Sequence, residues 1–144
     1  MSQLGSRPLD EEALARIFAT YPGIEAVYLF GSWAAGTARQ CSDLDLAIVP
    51  RDDQVRDRRL DLLTDLAREG FTQVDLVFLD VKDIVLRYEA VRLNRVIYQT
   101  PDFDRGAYYS YTVRLYLDFL PYLKVQREAL KARILAKETP YGPQ

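Results

Sequence analysis

Two aspartates, Asp43 and Asp45, lie on an otherwise apolar segment, and a third, Asp75, opens a later apolar segment. If these segments are strands, Asp43 and Asp45 project from one face, roughly 6.5–7 Å apart along the chain. Neighbouring carboxylates repel one another, and a divalent cation such as Mg²⁺ offsets that repulsion through oxygen ligands. If the two strands are neighbours, the three carboxylates converge. This arrangement suits two metal ions roughly 3.5–4 Å apart and an in-line phosphoryl transfer.

A glycine–serine pair, Gly31 and Ser32, precedes the aspartates and follows a separate apolar run. Glycine lets the backbone approach a ligand closely. A serine that opens a helix offers a hydroxyl and nearby N–H groups at the positive end of the helix dipole. The pair therefore predicts a phosphate-binding turn, in which the turn holds the phosphates and the aspartates hold the metal ions that bridge them.

Helix and strand patterns alternate along the first hundred residues. Asp10 and Asp83 are suited to cap helices, and Gly70 is suited to end one. Four segments rich in β-branched and aromatic residues read as strands: IEAVYLF, DLDLAIV, TQVDLVFLD and RVIYQT. Asp75 stands at the start of the third segment and is favoured over Asp80 at its end. The alternation predicts a layered α/β or α+β domain.

The last part of the chain, from about residue 104 to residue 136, has the pattern of one long amphipathic helix. Its predicted apolar stripe contains Tyr109, Val113, Tyr116 and Leu120. Pro121 lies inside the helix and predicts a kink or a break near residues 117–121, because proline removes a backbone donor. The helix is too long for a small sheet to cover, so part of its apolar face is expected to contact something else.

Composition narrows the classes of protein that this chain can be. Its 144 residues are 49% hydrophobic and 28% charged, as expected for one globular domain. No apolar run approaches the roughly 20 residues that a membrane span needs, and the N-terminus lacks an apolar signal core. The single cysteine, Cys41, cannot form an internal disulfide. These features predict a cytoplasmic protein, since thiols stay reduced there.

The absence of histidine excludes Ser–His triads, histidine acid–base relays and the commonest zinc sites. Any catalysis must therefore rest on carboxylates, hydroxyls and bound ions. Residues 1–104 carry a net charge of −6, whereas residues 105–144 carry +4. An acidic body argues against direct nucleic-acid binding, which requires a coherent basic face. The basic segment is instead expected to be a solvated helix surface or to bind a partner.

The pattern G-S-x(3)-G followed by S-D-x-D-L, with a later aspartate, resembles the polymerase-β-like nucleotidyltransferase superfamily. The small size and the tyrosine-rich terminal helix look more narrowly like the minimal nucleotidyltransferases (MNT), the antitoxin partners of HEPN ribonuclease toxins. The resemblance implies a small mixed sheet flanked by helices, with a long C-terminal helix. It also implies transfer of AMP from ATP, with two Mg²⁺ ions, to a tyrosine of the toxin, and therefore a hetero-oligomer. The core would span residues 1–103, and residues 104–144 would be a partner-binding extension of the same domain.

The resemblance also assigns roles to individual residues. Gly31 and Ser32 would bind the triphosphate, and Asp43 and Asp45 would ligate both metal ions. Asp75 would ligate the catalytic metal ion and help to deprotonate the acceptor hydroxyl. The family commonly has arginine before the second glycine, where this chain has Ala35. Arg39 is the nearby basic side chain that could contact the phosphates instead.

Two other functions are compatible with the same residues. One is nucleotidyl transfer to a small hydroxyl-bearing molecule, although the chain looks short for a dedicated acceptor domain. The other is a catalytically decayed antitoxin that inhibits its toxin by steric capture, as the alanine at position 35 would allow.

Overall fold

The computed structural model describes residues 9–38, 43–80 and 82–138. A four-stranded sheet with the order β3-β2-β1-β4 forms its centre. Strand β1 pairs antiparallel with β2 and β4, whereas β2 and β3 are parallel. The mixed sheet that the family resemblance implies is therefore confirmed. The strands are β1 (Ile24–Phe30), β2 (Leu44–Pro50), β3 (Val74–Phe78) and β4 (Val96–Gln99).

Within the described residues, five α-helices precede, connect or follow these strands, and a short 3-10 helix, Asp53–Arg58, precedes the third α-helix. Asp10 caps the first helix by accepting a hydrogen bond from the Ala13 amide, and Asp83 caps the fourth through the Leu86 amide. Both capping predictions are confirmed. The helices are α1 (Glu11–Ala19), α2 (Gly31–Ala35), α3 (Arg59–Arg68), α4 (Ile84–Val91) and α5 (Arg105–Glu138).

Side chains alternate across the sheet and divide the core into two layers. One face packs against α1 and α3 through side chains such as Leu29, Leu46 and Leu76. The opposite face packs against α4 and the start of α5 through Tyr28, Ala47 and their neighbours. Because strand side chains alternate with a period of two, Asp45 and Asp75 belong to this second face. The helices α4 and α5 therefore cover the face that carries the candidate site.

A buried arginine joins α4 to α5. Arg87 is only 4% exposed, and its Nε donates a hydrogen bond of 2.8 Å to the buried hydroxyl of Thr112. Its guanidinium also lies 4.3 Å from the ring centroid of Tyr108, a cation–π contact. One helical turn further along, the rings of Tyr88 and Tyr116 stack with centroids 3.8 Å apart. These contacts fix the first half of α5 against α4.

Strand β3 forms one edge of the sheet and is only partly buried. The guanidinium of Arg59, at the start of α3, donates a hydrogen bond to the backbone carbonyl of Leu76. That hydrogen bond satisfies one of the backbone groups that an edge strand would otherwise present to another chain.

Helix α5 is continuous through Pro121, so the prediction of a kink or a break is wrong as far as the break is concerned. Leu117, whose carbonyl loses its helical partner at Pro121, is exposed, as is the proline itself. Water can therefore satisfy that carbonyl, which limits the cost of the proline. No helix in the described part of the chain, α5 included, combines the length and the apolar character needed to cross a membrane.

The hydroxyl of Tyr28 is buried and finds no hydrogen-bond partner among the described residues. Leaving a buried hydroxyl unpaired costs about 1–3 kcal/mol. Tyr28→Phe is therefore expected to raise the free energy of unfolding at pH 7 by about 1–2 kcal/mol. Urea denaturation measures the change. The exposed Tyr122 provides the control, because Tyr122→Phe should leave the stability unchanged.

The effect of Tyr28→Phe on the free energy of unfolding is expected to depend on pH. Burial raises the pKa of Tyr28 to about 12, above the ordinary value of about 10 for tyrosine. Between about pH 10 and pH 12 the phenol is ionised in the unfolded chain but not in the folded protein. The free energy of unfolding is therefore unaffected by this group below about pH 10 and decreases as the pH rises from about 10 to 12. Tyr28→Phe should lose less stability over that interval than the wild type. An equal loss in both proteins would contradict this assignment.

Candidate active site

Two of the three aspartates face each other across neighbouring strands. In the parallel β2–β3 pair, Asp45 lies directly opposite Asp75, and on its other side Asp45 pairs with Phe30 of β1. Residues in register on adjacent strands project from the same face, with backbones about 4.8 Å apart. Strands β2 and β3 are therefore neighbours, which is the condition under which the sequence predicts that the carboxylates converge.

The third aspartate, Asp43, precedes β2 by one residue. Burial raises the pKa of Asp45, and the negative charges of Asp75 and Asp43 raise it further. Asp45 is half-buried, whereas Asp43 and Asp75 are exposed. The Asp45 carboxylate is thus close enough to those of Asp75 and Asp43 to be repelled by both at one corner of the sheet, and a divalent cation would offset this repulsion.

Gly31 lies directly against the central carboxylate. Its φ angle is +74°, and a Cβ atom placed on it would lie 2.1 Å from Oδ2 of Asp45. No side chain can occupy that position while Asp45 keeps its orientation, and non-glycine residues rarely adopt such a φ angle. Sequence reasoning assigned Gly31 to a close approach of phosphate. The contact with Asp45 was missed, because it depends on how β1 and β2 pair.

Ser32 follows as the second residue of α2 and is half-buried. Its carbonyl accepts a hydrogen bond of 2.9 Å from the Thr37 amide, and Gly36, with a φ angle of +79°, caps the C-terminus of α2. The direct junction of β1 with α2 therefore places Ser32 one residue from the Gly31–Asp45 contact. Arg39, the predicted phosphate contact, lies outside the described residues. Ala35 is exposed at the end of α2.

Asp80, the weaker candidate for the third carboxylate, lies beyond the other end of β3. It accepts a hydrogen bond of 3.0 Å from the Lys82 amide and forms an ion pair of 3.6 Å with Arg56. Asp75 stands near the beginning of the strand and is in register with Asp45. The structure therefore brings Asp75 to the site and leaves Asp80 at the opposite end.

The donor set fits a hard divalent cation, because all three side chains supply carboxylate oxygens. Across residues 9–38, 43–80 and 82–138, no three acidic or cysteine side chains are grouped closely enough to hold a metal ion as they stand. Mg²⁺ usually keeps several water ligands and shares phosphate oxygens, so a complete cage of protein ligands is not required. The arrangement can support phosphoryl transfer at the corner of the sheet that carries these carboxylates, beside Gly31 and Ser32.

Comparison with known proteins places this geometry in context. The family model described as polymerase β, nucleotidyltransferase matches residues 12–103. The protein adenylyltransferase MntA of Shewanella oneidensis is 29% identical over 115 residues, covering 80% of this chain and 79% of the relative.

Two solved structures have a similar fold. A crystal structure of a toxin–antitoxin with AMP-PNP matches with a TM-score of 0.69 and 26% identity, over 88% of this chain and 99% of that chain. A complex of tri-AMPylated Shewanella oneidensis HEPN toxin with its MNT antitoxin matches with a TM-score of 0.61 and 24% identity, over 87% of this chain and 95% of that chain. At that lower identity, the second match supports the fold alone.

Proposed function

The chain belongs to the polymerase β nucleotidyltransferase family, and we propose that it is an antitoxin that transfers AMP from ATP to a tyrosine hydroxyl of a HEPN ribonuclease toxin. The observation that carries the proposal is the in-register pair Asp45–Asp75, with Gly31 packed against Asp45. The adenylyltransferase activity named for the Shewanella oneidensis relative supports this acceptor class. The AMP-PNP in a similar toxin–antitoxin structure supports ATP as the donor.

In this reaction the tyrosine oxygen attacks the α-phosphorus of ATP, the bond to the β-phosphate breaks, and pyrophosphate leaves. Asp43 and Asp45 would ligate two Mg²⁺ ions, and Asp75 would ligate the catalytic one. When bound, the ions would stabilise charge on the attacking and leaving oxygens. Asp75 would also accept the proton that leaves the tyrosine hydroxyl.

The triphosphate would lie at the Gly31–Ser32 turn. Gly31 keeps the Asp45 carboxylate close to this turn, so phosphate and carboxylate oxygens can share a cation. Ser32 would donate its hydroxyl to a phosphate oxygen, and Arg39 stays a predicted phosphate contact. A cytoplasmic location remains a prediction that agrees with the use of ATP.

Intact-mass measurement of the toxin tests the proposed function. A HEPN toxin that forms a complex with this protein is incubated with it, ATP and Mg²⁺, and the mass of the toxin is expected to increase by one or more AMP groups. An unmodified toxin that is nonetheless inhibited in a stoichiometric complex would favour steric capture. An unmodified and uninhibited toxin, with ATP consumed only when small hydroxyl compounds are added, would favour a small acceptor.

Asp75→Asn is expected to reduce turnover far more than nucleotide binding, because Asp43 and Asp45 still bind the cation that accompanies ATP. The rate of AMP transfer should fall on the order of a hundredfold or more, in the range of a lost general base. The Kd for ATP with Mg²⁺ should change only a few-fold, as measured by calorimetry. Asp80→Asn is the control and should keep both properties. Equal losses of binding and turnover in Asp75→Asn would contradict the role given to Asp75.

A further inference from the structure

The second half of α5 exposes apolar side chains along an unsupported stretch of helix. Every residue from Lys124 to Ala136 is exposed. Leu130 is 52% exposed and Ile134 is 47% exposed. Helices of this length are marginal in water without tertiary contacts, so most helical stability comes from packing of an apolar face. The surface of another molecule is therefore expected to cover this segment in the functional state of the protein.

The exposed face continues the face that already packs against α4. Phe119, Leu123, Leu130 and Ile134, here called the α5 stripe, are separated by four, seven and four residues and thus lie on one side of the helix. Thr112 precedes Phe119 by seven residues and faces Arg87 of α4. The stripe therefore begins inside the α4–α5 contact and extends beyond the end of α4.

A groove lies where the stripe leaves α4. It has a volume of about 550 Å³. From α4 and the residues before it, the groove is lined by Lys82, Asp83, Ile84 and Val85; from α5, it is lined by Leu115, Phe119 and Leu123. Its α5 wall shares two residues with the stripe. Groove and stripe together form one elongated apolar surface, the shape that accepts an amphipathic helix laid along it.

The charges around the stripe select the kind of partner. Between residues 124 and 136 there are four basic residues and one acidic residue, Glu128. If two copies of this chain paired their stripes symmetrically, these cations would lie against each other, and like charges facing each other at an interface oppose binding. The surface instead suits an apolar helix flanked by acidic side chains.

We propose that the α5 stripe and the groove form the docking surface for a helix of the HEPN toxin, with acidic side chains of that helix facing Arg127, Lys131 and Arg133. Naming the toxin as the occupant rests on the proposed function. The solved toxin–antitoxin structure matches 88% of this chain. A protein of this fold thus occurs in a complex with a toxin. Docking on α5 would hold the toxin independently of the chemistry at the carboxylates.

The test compares two double variants of α5. Leu130→Ser with Ile134→Ser disrupts the stripe, whereas Val125→Ser with Leu135→Ser makes equivalent changes on the opposite side of the helix, where both side chains are exposed. The stripe variant is expected to raise the Kd for the toxin on the order of 30-fold, as for hot-spot residues, and the control less than about threefold. Affinity of the wild type should also fall with added salt.

Binding is measured by calorimetry without ATP, so the result does not depend on whether AMP is transferred. With ATP present, the stripe variant should show a raised KM for the toxin and an unchanged kcat. Circular dichroism checks that both variants keep the same helix content. An unchanged Kd in the stripe variant, equal losses in the two variants, or affinity that does not respond to salt would overturn the proposal. So would a wild-type homodimer that the stripe variant dissociates.

Discussion

Asp45→Asn is expected to lower the rate of AMP transfer at least roughly a thousandfold, since metal-ion catalysis contributes several kcal/mol to the transition state. Asp45 is the central carboxylate of the site, with Asp75 opposite it on one side and Phe30 on the other. Asparagine keeps the shape of the side chain but removes the negative charge that two cations would share. The fold should survive, because the exchange also relieves repulsion from Asp43 and Asp75.

The measurement is a single-turnover assay that follows the transfer of labelled AMP to saturating toxin. Asp57→Asn is the matched control, because Asp57 is exposed on the 3-10 helix, outside the candidate site. It should retain the wild-type rate. Substantial transfer by Asp45→Asn, within about tenfold of the wild type, would mean that the carboxylates do not hold the catalytic ions.

Gly31→Ala is expected to be inactive and to lower the free energy of unfolding by about 3–5 kcal/mol, combining backbone strain with overpacking. Alanine must adopt a φ angle near +74° while its Cβ meets Oδ2 of Asp45 at 2.1 Å. Either the turn or the carboxylate has to move. In both cases the geometry shared by phosphate and carboxylate oxygens is lost.

Gly36 offers a matched control for the backbone strain. It has a φ angle of +79°, and an added Cβ would meet no atom within 4 Å. Gly36→Ala should therefore cost only about 1–2 kcal/mol. The difference between the two glycine variants, measured by urea denaturation, isolates the collision with Asp45. In an Asp45→Ala background that difference should nearly vanish, and its persistence would show that the collision is not its cause.

Local patterns in the sequence predicted most of the secondary structure. The caps at Asp10 and Asp83 depend on side chains that bond to amides three residues away, and both were correctly placed. The four strands were also recognised, because β-branched and aromatic runs ended by turn residues are local features. Asp75 could be chosen over Asp80 because it stands at the start of its strand.

The pairing of elements distant in sequence could not be predicted from local patterns. The strand order, with β1 in the centre beside β2 and β4, follows from which faces bury most apolar surface together. For the same reason, the contact between Gly31 and Asp45 was not foreseen. At Pro121 the rule for proline predicted a kink or a break, but solvent around the exposed Leu117 lets the helix continue without a break.

The position of β3 at the edge of the sheet has a consequence for how durable the candidate site is. Edge elements open locally at lower free energy than the core, through fluctuations that leave the rest of the protein folded. Asp75 stands on this five-residue strand, which α3 secures through Arg59. When the edge frays, Asp75 separates from Asp45 while the central strands remain paired. Catalytic competence thus depends on an edge strand of the domain and can be lost well before the domain itself unfolds.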